Sequence, residues 1–211
     1  MSRQSCAGPN RASKLSRNGF KVRIGAIGII DALRQWPPVE AGSMVTEEKN
    51  YLIEAAGIAD VAELTALFDA YRVFYGAVPE PVRVDAFVHG LIMHGKTHFF
   101  LARGQEGGRA LGFVHLMPSI STVAMRPVWL LEDLFVVPEG RRAGVATALM
   151  RHAEAFARET GAERLTLATA HDNLRAQSLY MQLGYLREEH FWYFHRVLDR
   201  VLDRVLDRVL D

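Results

Sequence analysis

The stretch Val128–Met150, VWLLEDLFVVPEGRRAGVATALM, decides how the chain is read. It begins as an apolar run that holds two adjacent carboxylates, Glu132 and Asp133, and Pro138 breaks it. Two arginines and several small residues come next. Val145, Leu149, Ala153 and Phe156 then recur at helical spacing, which gives that helix one apolar side. A strand that turns at once into a helix has two readings. One is an ordinary corner with solvated arginines. The other is a socket for phosphate, because a helix start presents unpaired N–H groups and a partial positive charge. In RRAGVA (Arg141–Ala146), Gly144 and Ala146 would let the backbone come close to such a ligand. Alone the pattern is weak: with glycine near 7% of residues, R-x-x-G-x-G/A arises by chance in roughly one of every several chains of this length. It is neither a Walker loop, which needs G-K-[ST], nor the three-glycine dinucleotide fingerprint.

On the N-terminal side, NYLIEA (Asn50–Ala55) reads as a short strand. Val61, Leu64, Leu67, Phe68, Tyr71, Phe74 and Tyr75 predict a helix over about 58–75, with Asp60 and Glu63 at capping-box spacing. A second helix begins after Pro79–Pro81 and stops at Gly95. THFFLAR (Thr97–Arg103) and ALGFVHLMP (Ala110–Pro118) predict a hairpin across the turn Glu106–Arg109, and a polar loop leads into Pro127–Val137. On the C-terminal side come a strand, Arg164–Ala170, a helix, Asn173–Tyr185, that ends at Gly184, and a last strand, His190–Leu198. The order β-α-α-β-β-β-α-β-α-β predicts a mixed α/β sheet with crossover helices after its central strands.

The chain has 211 residues, 49% of them hydrophobic, which suits one domain with its own core. Its formal charge of +1 gives no reason to expect nucleic acid. Residues 1–43 carry seven basic and two acidic side chains, against 18 and 22 in the remainder, so the body is mildly acidic and compatible with a cationic substrate. This N-terminal stretch differs in composition from the rest of the chain. Residues 1–45 are expected to be an extension or a misassigned start, 46–198 the folded domain, and 199–211 a low-complexity tail. That tail is the end of four RVLD copies spanning Arg196–Asp211, which would wind about 40° per copy as a helix; it reads as a duplicated tetrapeptide with no catalytic part, with a short partner-binding helix as the alternative. Cys6 is the single cysteine, so no internal disulfide forms and a reducing, cytoplasmic compartment is expected. VRIGAIGII (Val22–Ile30) is too short to span a bilayer, and no membrane association is expected. The eight histidines show no metal-binding pattern, and no G-x-S-x-G occurs.

Two segments in order resemble the GNAT superfamily of acyl-CoA N-acyltransferases. LEDLFVVPEGRRAGVATALM (Leu131–Met150) resembles the family's acetyl-CoA segment, and LATAHDNLRAQSLYMQLGY (Leu167–Tyr185) resembles the family's next segment. The order of elements from 50 to 198 is also similar. The match is nearest to small bacterial members of the Hpa2-type and diamine acetyltransferase kind, through LEDLFV. Residues 1–43 and the repeated tail depart from the family, and Ala146 stands where many members have a second glycine. The resemblance implies the GNAT fold: a mixed, mostly antiparallel sheet of about six to seven strands flanked by about four helices.

It also implies roles. Acyl transfer to an amine requires a held cofactor, a polarised thioester, a deprotonated ammonium and a protonated leaving thiolate. For acetyl-CoA, the resemblance implies the backbone of Arg142, Ala143, Gly144, Val145 and Ala146 at the pyrophosphate, with Arg141 beside it. Phe135, Val136 and Val137 would lie along the pantetheine arm, and Asn173 would be a further contact or only a helix cap. Arg175 reads as solvated. Side-chain alternation puts Trp129, Leu131, Asp133 and Phe135 on one face of the strand and Glu132 on the other. Glu132 is the implied general base, its basicity raised by partial burial; a salt-bridged carboxylate or substrate anchor is an equal reading. Asp133 is read as structural, bonding loop backbone. Tyr180 is the implied general acid, with a core tyrosine as its alternative. The expected activity is acetyl transfer from acetyl-CoA to a primary amine of a small molecule, a polyamine or amino-acid-like compound, by direct attack in a ternary complex, with homodimers expected from the resemblance. A non-catalytic acyl-CoA sensor or scaffold, or a protein N-acetyltransferase, is the alternative.

Overall fold

Phe99 and Phe100 are neighbours in one strand, both are buried, and each packs against a different helix. Phe99 lies 6.3 Å from Phe68 and Phe100 lies 5.1 Å from Phe156, ring to ring. Successive strand residues point to opposite faces, so these two contacts mark the two layers that cover the sheet. The computed structural model describes residues 45–48, 51–95, 97–104 and 107–196. The strands are β1 (Val45–Glu48), β2 (Tyr51–Ala55), β3 (His98–Gly104), β4 (Gly107–Ser121), β5 (Arg126–Val136) and β6 (Leu165–Leu167). The helices are α1 (Val61–Phe74), α2 (Pro81–His94), α3 (Val145–Glu159) and α4 (Leu174–Gln182). The described residues fall into two units that divide between Ala168 and Thr169.

The first unit holds a six-stranded sheet in the order β1-β2-β3-β4-β5-β6. Neighbours from β1 to β5 are antiparallel, and β5 and β6 are parallel across the α3 crossover. On one face Phe68 and Tyr71 of α1 meet Phe99, Phe113 and Phe135. On the other, Phe156 of α3 meets His98, Phe100 and Trp129. Arg103, at the end of β3, ties the sheet to the start of α1. Its guanidinium donates to Glu54 at 2.6 Å, to Asp60 at 3.0 Å, to Glu63, and to the Gly108 carbonyl at 3.1 Å. Glu63 also accepts from the Ala110 N–H at 2.6 Å. Asp60 and Glu63 are therefore engaged in tertiary bonds. Asp60 does not cap α1 through its side chain, and the predicted capping box does not form.

In the second unit, Asn173 caps α4, its side-chain oxygen accepting from the Ala176 N–H at 3.3 Å. Gly184 ends the helix at φ +89, a left-handed conformation that suits glycine. The predicted strand His190–Leu198 does not form over its described part, 190–196. Phe191, Trp192, Tyr193 and Phe194 are exposed there. Consecutive aromatic residues name no face, and an extended segment becomes a strand only where a neighbour takes up its N–H and C=O groups. The end of the tail lies outside the described residues, as does almost all of the N-terminal extension. Three further elements differ from expectation. β1, which begins at Val45, is an additional strand. β4 runs on to Ser121, so the polar loop shrinks to a turn at 122–125. β6 is only three residues long. Among the described residues no helix is long and apolar enough to cross a membrane.

Two histidines are buried between α3 and the sheet, His98 from β3 and His152 from α3 itself. His98 has no hydrogen-bond partner for either ring nitrogen among the described residues. It packs 5.2 Å from Trp129 and 4.9 Å from Phe156. Burial, with nearby His115 adding to it, pushes His98 down to about 4, and burial alone pushes His152 down to about 4. Both are thus neutral in the folded protein at pH 7, while the unfolded chain takes up protons below about 6.5. The unfolded state binds more protons between those values, so stability present above pH 6.5 is lost as pH falls toward 4. Urea unfolding at pH 7 and pH 4.5 is expected to show this fall, and His98→Phe is expected to reduce it by about half.

Candidate active site

The ladder between β4 and β5 carries one irregularity. His115 pairs with Asp133, but the next residue, Leu116, pairs with Leu131. Glu132 is the extra residue, a β-bulge. It reverses the side-chain alternation. Trp129, before it, packs against Phe156 of α3, whereas Phe135, after it, packs against Tyr71 of α1. The predicted common face for Trp129, Leu131, Asp133 and Phe135 is therefore split at the bulge.

The two adjacent carboxylates consequently have different surroundings. Glu132 is exposed, so the expected partial burial does not apply to it. Asp133 is the half-buried one. Its Oδ2 accepts from His115 Nδ1 at 2.7 Å, a side-chain partner in place of the predicted loop backbone. His115 is 4% exposed, and its Nε2 shares a hydrogen bond with the Thr97 hydroxyl, which also donates to the Leu116 carbonyl at 2.9 Å. Tyr71 reaches Asp133 from α1. Burial first, and then Asp133, raise its phenol well above the usual tyrosine range.

The bulge also changes which backbone groups β5 offers. β6 pairs only with Trp129–Leu131, and beyond that point no described strand lies along this edge. The Val137 N–H donates to the Leu111 carbonyl at 2.9 Å. Antiparallel alternation from that bond turns the groups of Asp133 and Phe135 toward β4, and those of Leu134 and Val136 toward the open edge. Of Phe135, Val136 and Val137, only Val136 offers its N–H there. Arg141 Nε donates to the Val136 carbonyl at 3.1 Å, and its guanidinium lies 5.7 Å from the Phe74 ring centroid.

Immediately after this edge comes the start of α3. Arg142 and Gly144 adopt φ of +64 and +93. A Cβ on Gly144 would meet only Tyr51 Cε2, at 4.0 Å, so glycine is required by conformation rather than by crowding. The Tyr51 hydroxyl donates to the Ala143 carbonyl at 2.7 Å and pins the loop to β2. No side chain caps α3, and its first hydrogen bond runs from the Ala148 N–H to the Gly144 carbonyl at 3.0 Å. The N–H groups of Ala143 to Thr147 donate to no acceptor among the described residues. Such a cluster fits an anion. Gly112 matters for the same corner, because a Cβ there would lie 2.4 Å from the Phe135 carbonyl oxygen.

Tyr180 and Asn173 belong to the second unit. Tyr180 is half-buried on α4, with its ring 6.0 Å from that of Tyr185. The side-chain oxygen of Asn173 is engaged as the helix cap, and Arg175 is exposed. Sequence reasoning misses His115, Thr97, Tyr71, Tyr51 and Gly112. The signal for His115 is its place on the buried face of its strand beside Phe113, which a search for metal-ligand spacing passes over.

The model of the Acetyltransferase (GNAT) family matches residues 64–185, more than half of the chain. The chain belongs to the GNAT family. It is an acetyl-CoA-dependent N-acetyltransferase. Over 139 residues it is 36% identical to the uncharacterized N-acetyltransferase YhfO of Bacillus subtilis, covering 66% of this chain and 92% of that one. It is 28% identical over 135 residues to the D-amino-acid N-acetyltransferase HPA3 of Saccharomyces cerevisiae, covering 64% and 84%. A crystal structure of a probable acetyltransferase superposes with a TM-score of 0.67 at 34% identity, covering 70% of this chain and 97% of that one. Among the described residues the sheet has six strands, within the expected range, and there are the four α-helices expected, three in the first unit and α4 in the second.

Proposed function

We propose that this GNAT enzyme transfers the acetyl group to a primary amine of a small molecule, a polyamine or amino-acid-like compound, by direct attack in a ternary complex. The observation that carries this reading is the presence, in one unit, of an uncapped helix start and an exposed carboxylate at a bulge in the strand leading to it. A D-amino-acid acceptor in the name of one relative supports the amino-acid-like class. Acetyl-CoA supplies the thioester. The N–H groups of Arg142, Ala143, Gly144, Val145 and Ala146 hold its pyrophosphate, with the charge of Arg141 nearby, and Asn173 contributes a further contact through the part of its amide that does not cap α4. Val136 offers its N–H to the thioester oxygen, and Phe135 and Val137 shape the strand beside the pantetheine arm. Glu132 takes the proton of the attacking ammonium, directly or through water, because it is the exposed member of the carboxylate pair. Tyr180 returns a proton to the leaving thiolate. The domain spans about 46–198. It works as a homodimer in the cytoplasm, and sedimentation of the purified chain tests the dimer.

An amine panel read by CoA release tests the activity. Acetyl-CoA binding with no transfer to any amine would indicate a binding domain instead. Glu132→Gln is expected to lower kcat/KM for the amine by roughly 100-fold, with acetyl-CoA affinity unchanged. Tyr180→Phe is expected to lower kcat by at least about 10-fold in single-turnover measurements. Gly144→Glu places a side chain at φ +93, where L-residues lose roughly 1–2 kcal/mol, and adds negative charge to the socket. Calorimetry on the folded variant is expected to show acetyl-CoA binding weakened at least about 10-fold, the equivalent of 1.4 kcal/mol.

A further inference from the structure

We propose that His115 is a positioning residue for acetyl transfer: its ring holds Asp133 in register and so sets the bulge that turns Glu132 out toward the acceptor amine. This rests on the reading of Glu132 as the general base.

Strand register is the physical point at issue. A bulge adds one residue to one strand, and something must decide which residue is the extra one. Sliding β5 by one position against β4 would set Glu132 opposite His115 and carry Asp133 to the other face of the sheet. The pair directly beside the irregularity is His115 and Asp133, and their side chains are bonded at 2.7 Å. His115 is itself fixed on every side. Its ring stacks on Phe99 with centroids 4.1 Å apart and planes 10° from parallel. Its Nε2 is bonded to Thr97, whose hydroxyl also donates to the carbonyl of Leu116, the residue on the far side of the irregularity. Thr97, His115 and Asp133 therefore form a chain of bonds across β4 that brackets the bulge. Tyr71 of α1 lies beside Asp133. With Asp133 taken up by His115, Glu132 is the member of the pair left facing solvent. A carboxylate only accepts, so the ring carries a proton on Nδ1, the nitrogen aimed at Asp133.

Two amide replacements separate the ring's two bonds. In His115→Asn the side-chain nitrogen overlies Nδ1 and keeps a donor for Asp133. In His115→Gln it overlies Nε2 and keeps only the Thr97 side. The proposal expects His115→Asn to stay within about 3-fold of the parent in kcat. It expects His115→Gln and His115→Phe to lose roughly 30-fold or more, with acetyl-CoA affinity unchanged in calorimetry. In a Glu132→Gln background, His115→Gln should add little further loss, because both act through one group. Nitrogen-15 imidazole spectra of the full chain should show a proton on His115 Nδ1 that is lost or shifted in Asp133→Asn, a readout independent of turnover and of whether any His115 variant folds. Equal activities of the folded Asn and Gln variants, or a proton absent from Nδ1 in the parent, would overturn the role of His115 while leaving the base intact. A Glu132→Gln enzyme with unchanged kcat/KM across pH would remove the base, and this role with it.

Discussion

The hydrogen bond between His115 and Asp133 joins two strands at the place where their lengths stop matching. β5 carries one more residue than β4 there, and much of the chemistry-bearing face depends on that mismatch. Before the bulge, β5 buries Trp129 against α3 and shares a ladder with β6. After it, β5 buries Phe135 against α1 and leaves its outer edge open. A regular strand would have kept the same residues facing the same layers along its whole length. The extra residue gives one strand two consecutive tasks, closing the core first and then presenting free backbone and a solvated carboxylate.

The cofactor side depends on a different omission. An α-helix ordinarily satisfies its first N–H groups with a Ser, Thr, Asp or Asn cap. The start of α3 has Gly144 there, at φ +93, and no side chain returns to it. Its first donors meet no acceptor among the described residues. Small residues matter at this corner for more than access, because Gly144 is needed for its backbone conformation and Gly112 for the close passage of the Phe135 carbonyl.

Much of this is legible in the sequence, for identifiable reasons. Periodicity locates α1 to α4 because each has an apolar stripe, and the β3–β4 hairpin because its strands alternate. The turn from β5 into α3 is legible because its small residues come after a strand and open a helix. The bulge is not, because an inserted residue is a property of two strands in register, and β5 alone reads as unbroken alternation. Asp60 and Glu63 have the spacing of a capping box, but the stronger attraction of Arg103, on a strand about forty positions away in sequence, claims both. His190–Leu198 reads as a strand by composition, yet composition does not supply the neighbour that a strand needs. The fate of Asp133 lies with His115, a residue eighteen positions earlier whose partner no local pattern names.

The bond from the Tyr51 hydroxyl to the Ala143 carbonyl connects the loop that opens α3 to β2, and β2 is paired with β1, where Glu48 pairs with Tyr51 itself. Four residues near the start of the domain thus brace the strand that braces the loop. Trimming the N-terminus to just before Tyr51 would remove β1, turn β2 into an edge strand and so loosen the anchor of the loop that opens α3. The boundary chosen for a shortened protein therefore decides how firmly that loop is held.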